Sequence, residues 1–134
     1  MKFLNGDRRL GGSPRLGRVG ELVAAEYLRK SGFVLLERNW SCRAGEIDIV
    51  AREGLELVFV EVKTRSRRCQ GTADMLFENV DGRKRKKLRF LADYFVSLHY
   101  RNSKSPPCRI DLIGVLMDEG GKSVVEVRHE EAAL

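Results

Sequence analysis

The stretch "VFVEVKTR", Val58 to Arg65, sets an acid and a base, Glu61 and Lys63, inside an otherwise apolar run. Alternate side chains of a strand share a face, so the two project the same way with Cα atoms roughly 6.5–7 Å apart, and Phe59 shares that face. Thirteen residues before Glu61, Asp48 lies in "EIDIVA", with Glu46 two positions earlier. If the two runs form a hairpin over "AREGLE", an even-numbered loop brings Asp48 opposite Phe59 or Glu61, and a four-residue loop, Glu53 to Glu56, gives the Asp48–Glu61 pair itself. An odd-numbered loop puts them on opposite faces. Two buried carboxylates side by side repel and lose hydration, which is costly unless positive charge is present. Lys63 supplies one such charge and a divalent cation supplies more. Mg²⁺ suits the arrangement because it takes oxygen ligands, keeps several waters and is held by one or two carboxylates plus substrate phosphate, and Mn²⁺ is its substitute. A metal there polarises a phosphodiester and lowers the pKa of a bound water, while Lys63 orients that water or stabilises charge at phosphorus. The reaction class is metal-assisted phosphodiester hydrolysis. The plain alternative makes Glu61 and Lys63 a strand end emerging into solvent, but unpaired acids within buried strands are rare.

The chain around these residues is 134 long, enough for one domain. With 43% hydrophobic and 33% charged residues it needs neither disulfides nor metal as staples. Twenty-five Lys and Arg against nineteen Asp and Glu give +6, which favours polyanionic partners if the cations cluster. The three cysteines, Cys42, Cys69 and Cys108, form no C-x-x-C pair and read as reduced thiols of a cytoplasmic protein. Only His99 and His129 are present, without H-E-x-x-H, so any metal is held by carboxylates. No run approaches 18 apolar residues and the N-terminus lacks the apolar core of a signal peptide, so neither secretion nor a membrane partner is expected.

Residues 1–17 read as a basic mobile arm and 18–130 as a single domain. A first helix is expected over Val19–Lys30 with Leu22, Ala25 and Leu28 as its apolar stripe and Gly32 as its C-terminal glycine. "FVLLERNW", "EIDIVA" and "LELVFVEVKT" follow as strands, the last with apolar residues of both parities and therefore buried on both faces. Residues 66–80 show no period and read as a long loop, a feature that is often functional in a compact domain. A second helix runs from about Asp81 to Tyr100 with Leu88, Leu91, Phe95 and Leu98 inward, and "RIDLIGVLM" and "SVVEVRH" are the last strands. The fold class is α/β: a mixed sheet of about five strands flanked by helices, in the order α-β-β-β-α-β-β.

Cations fill six of the seven positions from Arg83 to Arg89, a run that is either a solvated helix start or a phosphate-binding surface, and their opposition to the helix dipole speaks for the second. Arg65, Arg67 and Arg68 follow Lys63, where phosphates of a cut strand would pass. No aromatic is interleaved with either basic run, so no base-stacking platform is expected, and Trp40 and Tyr94 read as core-edge residues. Asp111 interrupts a strand and is expected to pair with a base or support the site.

Asp48 followed by Glu61-x-Lys63 in a sheet resembles the D-(D/E)-x-K core of restriction-endonuclease-like nucleases, with Ile47 where that superfamily's pattern has proline. The run "GEIDIVAREGLELVFVEVKTR", preceded by "GELVAAEYLRKSGFVLLERNW" and followed by "RKRKKL" and "RIDLIGV", resembles the YraN-type family of that superfamily over roughly residues 15–117. Archaeal Holliday junction resolvases are among its structural relatives. The resemblance implies metal ligation by Asp48 and Glu61, catalysis by Lys63, and a contribution from Glu21, which matches a helical glutamate of resolvase-like members. It also favours Lys84 and Lys87 within the basic run. The expected activity is Mg²⁺-dependent cleavage of DNA in preference to RNA, with branched or structured DNA as a substrate class. Two-strand cutting would need a homodimer. The rival expectation is a nucleic-acid-binding module that keeps the fold without cutting, and a third is an interaction protein with a structural carboxylate pair.

Overall fold

The structure, a computed structural model, describes residues 14–67 and 81–134. Cys69, Arg68, most of the long connection and residues 1–13 of the expected arm lie outside the described residues. Helix α1 spans Pro14–Lys30 and so starts before the Val19 expected from the sequence. Proline suits a first helical position, where its missing N–H would have had no partner and its φ is already helical. The helix ends as Gly32 predicts: at φ +94° this residue takes the left-handed turn, Phe33 N–H bonds Leu28 C=O at 3.0 Å and Gly32 N–H bonds Arg29 C=O at 3.1 Å.

Strands β1 (Val34–Cys42), β2 (Gly45–Glu53) and β3 (Glu56–Ser66) follow, then α2 (Gly82–His99), β4 (Cys108–Met117) and β5 (Val124–Glu130). The sheet order is β1-β2-β3-β4-β5, with β3 and β4 parallel across α2 and every other pair antiparallel. This is the five-stranded mixed α/β architecture expected from the sequence. The β2–β3 turn is Gly54-Leu55, closed by the Glu53–Glu56 pair, and Gly54 supplies its positive φ of +61° at the first turn position.

The helices cover opposite faces. Ala24, Ala25 and Leu28 of α1 pack on Ile49, Ala51, Val58, Val60, Ile113 and Val115. Leu88, Leu91, Ala92 and Phe95 of α2 pack on Ile47, Val50, Leu57 and Phe59. Strand β3 is thus buried on both sides, as its unbroken apolar run requires. The inward stripes differ from the sequence expectation at one position each, because Leu22 and Leu98 are exposed. On α1 the buried row is instead Glu21, Ala24, Ala25 and Leu28, a small-residue face that lets the helix sit close: a Cβ on Gly20 would stand 1.8 Å from Thr64 Oγ1.

Candidate active site at the divergence of two strands

The hairpin register decides whether Asp48 and Glu61 meet. Glu53 pairs with Glu56 and Ile49 with Val60, a register that would set Asp48 opposite Glu61 if the ladder ran one residue further. The paired residues stop at Ile49 and Val60, and beyond them β2 turns. Ile47 packs in the α2 layer whereas Ile49 packs in the α1 layer, although residues two apart on a regular strand share a face. Asp48 sits at this rotation, 2% exposed, and its Oδ2 accepts the Val62 N–H at 2.7 Å. The carboxylate therefore satisfies a β3 backbone donor next to Glu61, where the ladder to β2 has ended, and is oriented by doing so.

Glu61 stands on the α2 side of β3 with Phe59, and Lys63 follows on that face by the strand period. The Glu61 carboxylate is met from α2: Lys84 Nζ lies 2.8 Å from Oε2. Lys84 is placed by the helix start, where Asp81, the N-cap, accepts Lys84 N–H at 3.0 Å. That bond holds the exposed Asp81 carboxyl below the usual carboxylate range. Lys87, one turn on, reaches back over the β1–β2 turn, and a Cβ on Gly45 would stand 2.9 Å from its Cε. Gly45, at φ +150°, leaves that approach open. The described part of the site thus gathers Asp48, Glu61 and Lys63 with Lys84 and Lys87 from α2.

The remaining sequence candidates divide. Glu21 is buried in the α1 layer, on the helix that abuts Thr64 at the same end of β3 as Lys63. Because α1 begins at Pro14, Glu21 lies beyond the first turn and its position owes nothing to the helix dipole. Arg65, expected at the surface among phosphate contacts, is instead 2% exposed and donates from Nη1 to Thr64 C=O at 2.7 Å. The correction has a simple origin: β3 continues to Ser66 between two layers, so its last arginine is still inside. Arg67 is exposed just past the strand, and Arg68 falls outside the described residues.

Sequence reasoning missed a second polar centre. Asp111, fully buried on β4, accepts Arg109 Nε at 2.9 Å, His129 Nε2–H at 2.7 Å and Ala132 N–H at 2.9 Å. With that proton on Nε2, His129 Nδ1 accepts Tyr27 O–H at 3.0 Å. Arg109 also bridges to Glu53 and Glu56, both at 2.8 Å, tying β4 to the β2–β3 turn. Burial pushes the Asp111 carboxyl up, but the bonds from His129, Arg109 and Ala132 outweigh it and hold the group below the usual range. Asp111 thus pairs with a base, one of the two roles anticipated for it, and no signal in the sequence points to Tyr27 or His129.

Among the described residues no three His, Cys, Asp or Glu side chains cluster closely enough to hold a metal. The donor set is two carboxylates, with one Asp48 oxygen already bonded to Val62. Such a set fits Mg²⁺ or Mn²⁺ in the open mode that leaves positions to water and phosphate, and does not fit a closed protein cage. Cys42 and Cys108 are free thiols, and no helix among the described residues is long and apolar enough to cross a membrane.

Comparison with known proteins bears on this arrangement. Residues 20–115 match the uncharacterised protein family UPF0102, a span that contains every member of the site just described. A UPF0102 protein of Moorella thermoacetica is 49% identical over 104 residues, 78% of this chain and 82% of its own length. One from Pelotomaculum thermopropionicum is 43% identical over 118 residues, covering 88% and 93%. A third, from Parafrankia, is 45% identical over 123 residues, covering 90% and 97%. On these matches the chain belongs to the UPF0102 family, the YraN-type family that its motifs resemble.

Proposed function

We propose that this protein is a cytoplasmic, metal-dependent endonuclease of the restriction-endonuclease-like superfamily that hydrolyses phosphodiester bonds in branched or structured DNA. The observation that carries the reading is the bond to Asp48 Oδ2 from the N–H of Val62, the residue between Glu61 and Lys63, which holds the Asp48 carboxylate beside β3 where the β2–β3 ladder ends. Mg²⁺ or Mn²⁺ held by Asp48 and Glu61 would supply a Lewis acid and a coordinated water of lowered pKa. The chain's own residues do the rest. The Val62 N–H fixes the Asp48 carboxylate in position, so no reorganisation is needed when substrate arrives. Lys63 orients the attacking water or stabilises charge at phosphorus. Lys84 and Lys87, projecting from the start of α2, bind backbone phosphates, and in the absence of substrate Lys84 neutralises Glu61. Phosphate contacts of this kind read the shape of a nucleic acid more than its sequence. Two-strand cutting needs two copies, so a homodimer is part of the reading.

One observation favours a second reading, a binding module without catalysis: Glu61 already has a counter-ion in Lys84, and no third acid joins the pair among the described residues. A panel of labelled DNA and RNA structures incubated with Mg²⁺ or Mn²⁺ separates the two. Cleavage by the wild type that is lost in Glu61→Gln and Lys63→Ala is the expected result. Binding without cutting by any of the three proteins would establish the module, and equal cutting by all three would point to a contaminant.

A further inference from the structure

Helix α2 carries an aromatic face that cleavage does not use. Its 3.6-residue period lines up Arg83, Lys87, Phe90 and Tyr94, a stripe beside the inward row of Leu88, Leu91 and Phe95. Phe90 is 56% exposed and Tyr94 41%. Their rings are nearly parallel, 7° apart with centroids 6.4 Å from each other. Tyr94 in turn lies 6.2 Å from Trp40 on β1, the chain's single tryptophan, which is held edge-on against Phe95 at 5.2 Å. The stripe starts at the candidate site, because Lys87 is the residue that reaches over Gly45. The basic run itself contains no aromatic; the helical repeat brings one alongside it.

Exposed parallel rings bordered by cations suit one ligand chemistry, an unpaired nucleic-acid strand, whose bases stack on aromatic faces while its phosphates meet Lys and Arg. A duplex keeps its base faces inside the stack and cannot use the rings. The charge agrees: Arg83, Arg85, Lys86, Lys87 and Arg89 are exposed at this end of α2, and the helix's single acid, Asp93, lines a cavity on its other flank with Arg89 and Cys108. We propose that Phe90, Tyr94 and Trp40 form a stacking platform for unpaired bases, and that Lys87 and Arg83 hold the phosphates of that strand where it leaves the carboxylate pair. The inference rests on the reading of the protein as a nucleic-acid enzyme or binder and adds the form of the strand, single, at this surface.

Trp40 reports on the platform directly. Its fluorescence is to be titrated with a single-stranded oligothymidylate, an abasic deoxyribose-phosphate strand of the same length, and a duplex. Quenching that is strongest with the oligothymidylate is expected, and Phe90→Ala and Tyr94→Ala should each weaken that affinity by about tenfold while leaving the abasic strand unaffected. Both side chains are exposed, so the variants are expected to fold. Equal affinity for all three ligands would overturn the platform alone, and no response to any of them would overturn the nucleic-acid reading with it. A wild-type dimer in sedimentation that Phe90→Ala splits would assign the face to a second copy of the chain and overturn the proposal. Failure of the cleavage reading shows elsewhere, in a substrate panel left uncut while the titration still discriminates.

Discussion

At 2.8 Å from Glu61, the Lys84 ammonium holds ground that a divalent cation must share or take over. Both are attracted to the same carboxylate, so removing the lysine should favour the metal. Lys84→Ala is expected to bind Mn²⁺ roughly fivefold more tightly than the wild type, the equivalent of about 1 kcal/mol for a partly exposed ion pair. Calorimetric titration checks this, and an unchanged or weaker affinity would show that Lys84 and the metal do not compete. Residue type and spacing in the sequence point to Asp48, Glu61 and Lys63 as a group, and the structure brings the Asp48 carboxylate to Val62 N–H, between the other two in sequence. The burial of Arg65 was not legible there: exposure of a terminal strand residue depends on how far the layers extend past it, and no local pattern encodes that. The Tyr27–His129–Asp111 relay escaped for a related reason, its members being separated by 102 and 18 positions.

Among the elements, α1 carries the buried Glu21 to the end of β3 that holds Lys63. Its docking distance is set by Gly20 against Thr64. Rotating the threonine cannot make room for a methyl group, because Thr64 Cβ itself would be only 2.8 Å away. Gly20→Ala should therefore destabilise the protein by about 1–3 kcal/mol through overpacking, a cost larger than the helix-propensity gain of up to about 1 kcal/mol. Urea unfolding measures it, and a variant as stable as the wild type would show that α1 docks less closely than this. The elements themselves were readable from period and punctuation, as Gly32 illustrates. The two inward stripes were each misread at one leucine, Leu22 and Leu98, because a helix with small residues on one side can bury those in place of its larger ones. The aromatic stripe of α2 is not visible along the basic run itself, because only the helical repeat brings Phe90 onto the same face as Lys87.

For the molecule as a whole, acid is the sharpest probe of what holds β4, β5 and the β2–β3 turn together. Asp111 has its carboxyl held below the ordinary value of 3.8, so its bonds stabilise the fold fully above that value. As pH falls below it the unfolded chain takes up the proton first, and the contribution is lost as pH drops through the folded value. Asp81 and Asp118, held down by the backbone N–H groups of Lys84 and Lys122, act in the same direction. Urea midpoints should therefore fall steeply below about pH 4, and Asp111→Asn, less stable at neutral pH, should show a shallower acid limb. An acid limb of unchanged steepness in that variant would remove Asp111 from the account. A Cys-poor, basic composition gave no hint of this centre, which exists only because parallel pairing sets β4 beside β3 and brings Arg109 within reach of Glu53 and Glu56.

The bond from Val62 N–H to Asp48 also bears on descent. A side chain that replaces a missing ladder acceptor is retained for folding whether or not the protein cuts anything, since without it a backbone donor between β2 and β3 would be left without a partner. Drift in a lineage that had given up cleavage would thus reach Lys63 before Asp48. If the proposed cleavage holds across the family, loss of the lysine and not of the aspartate should mark members that only bind.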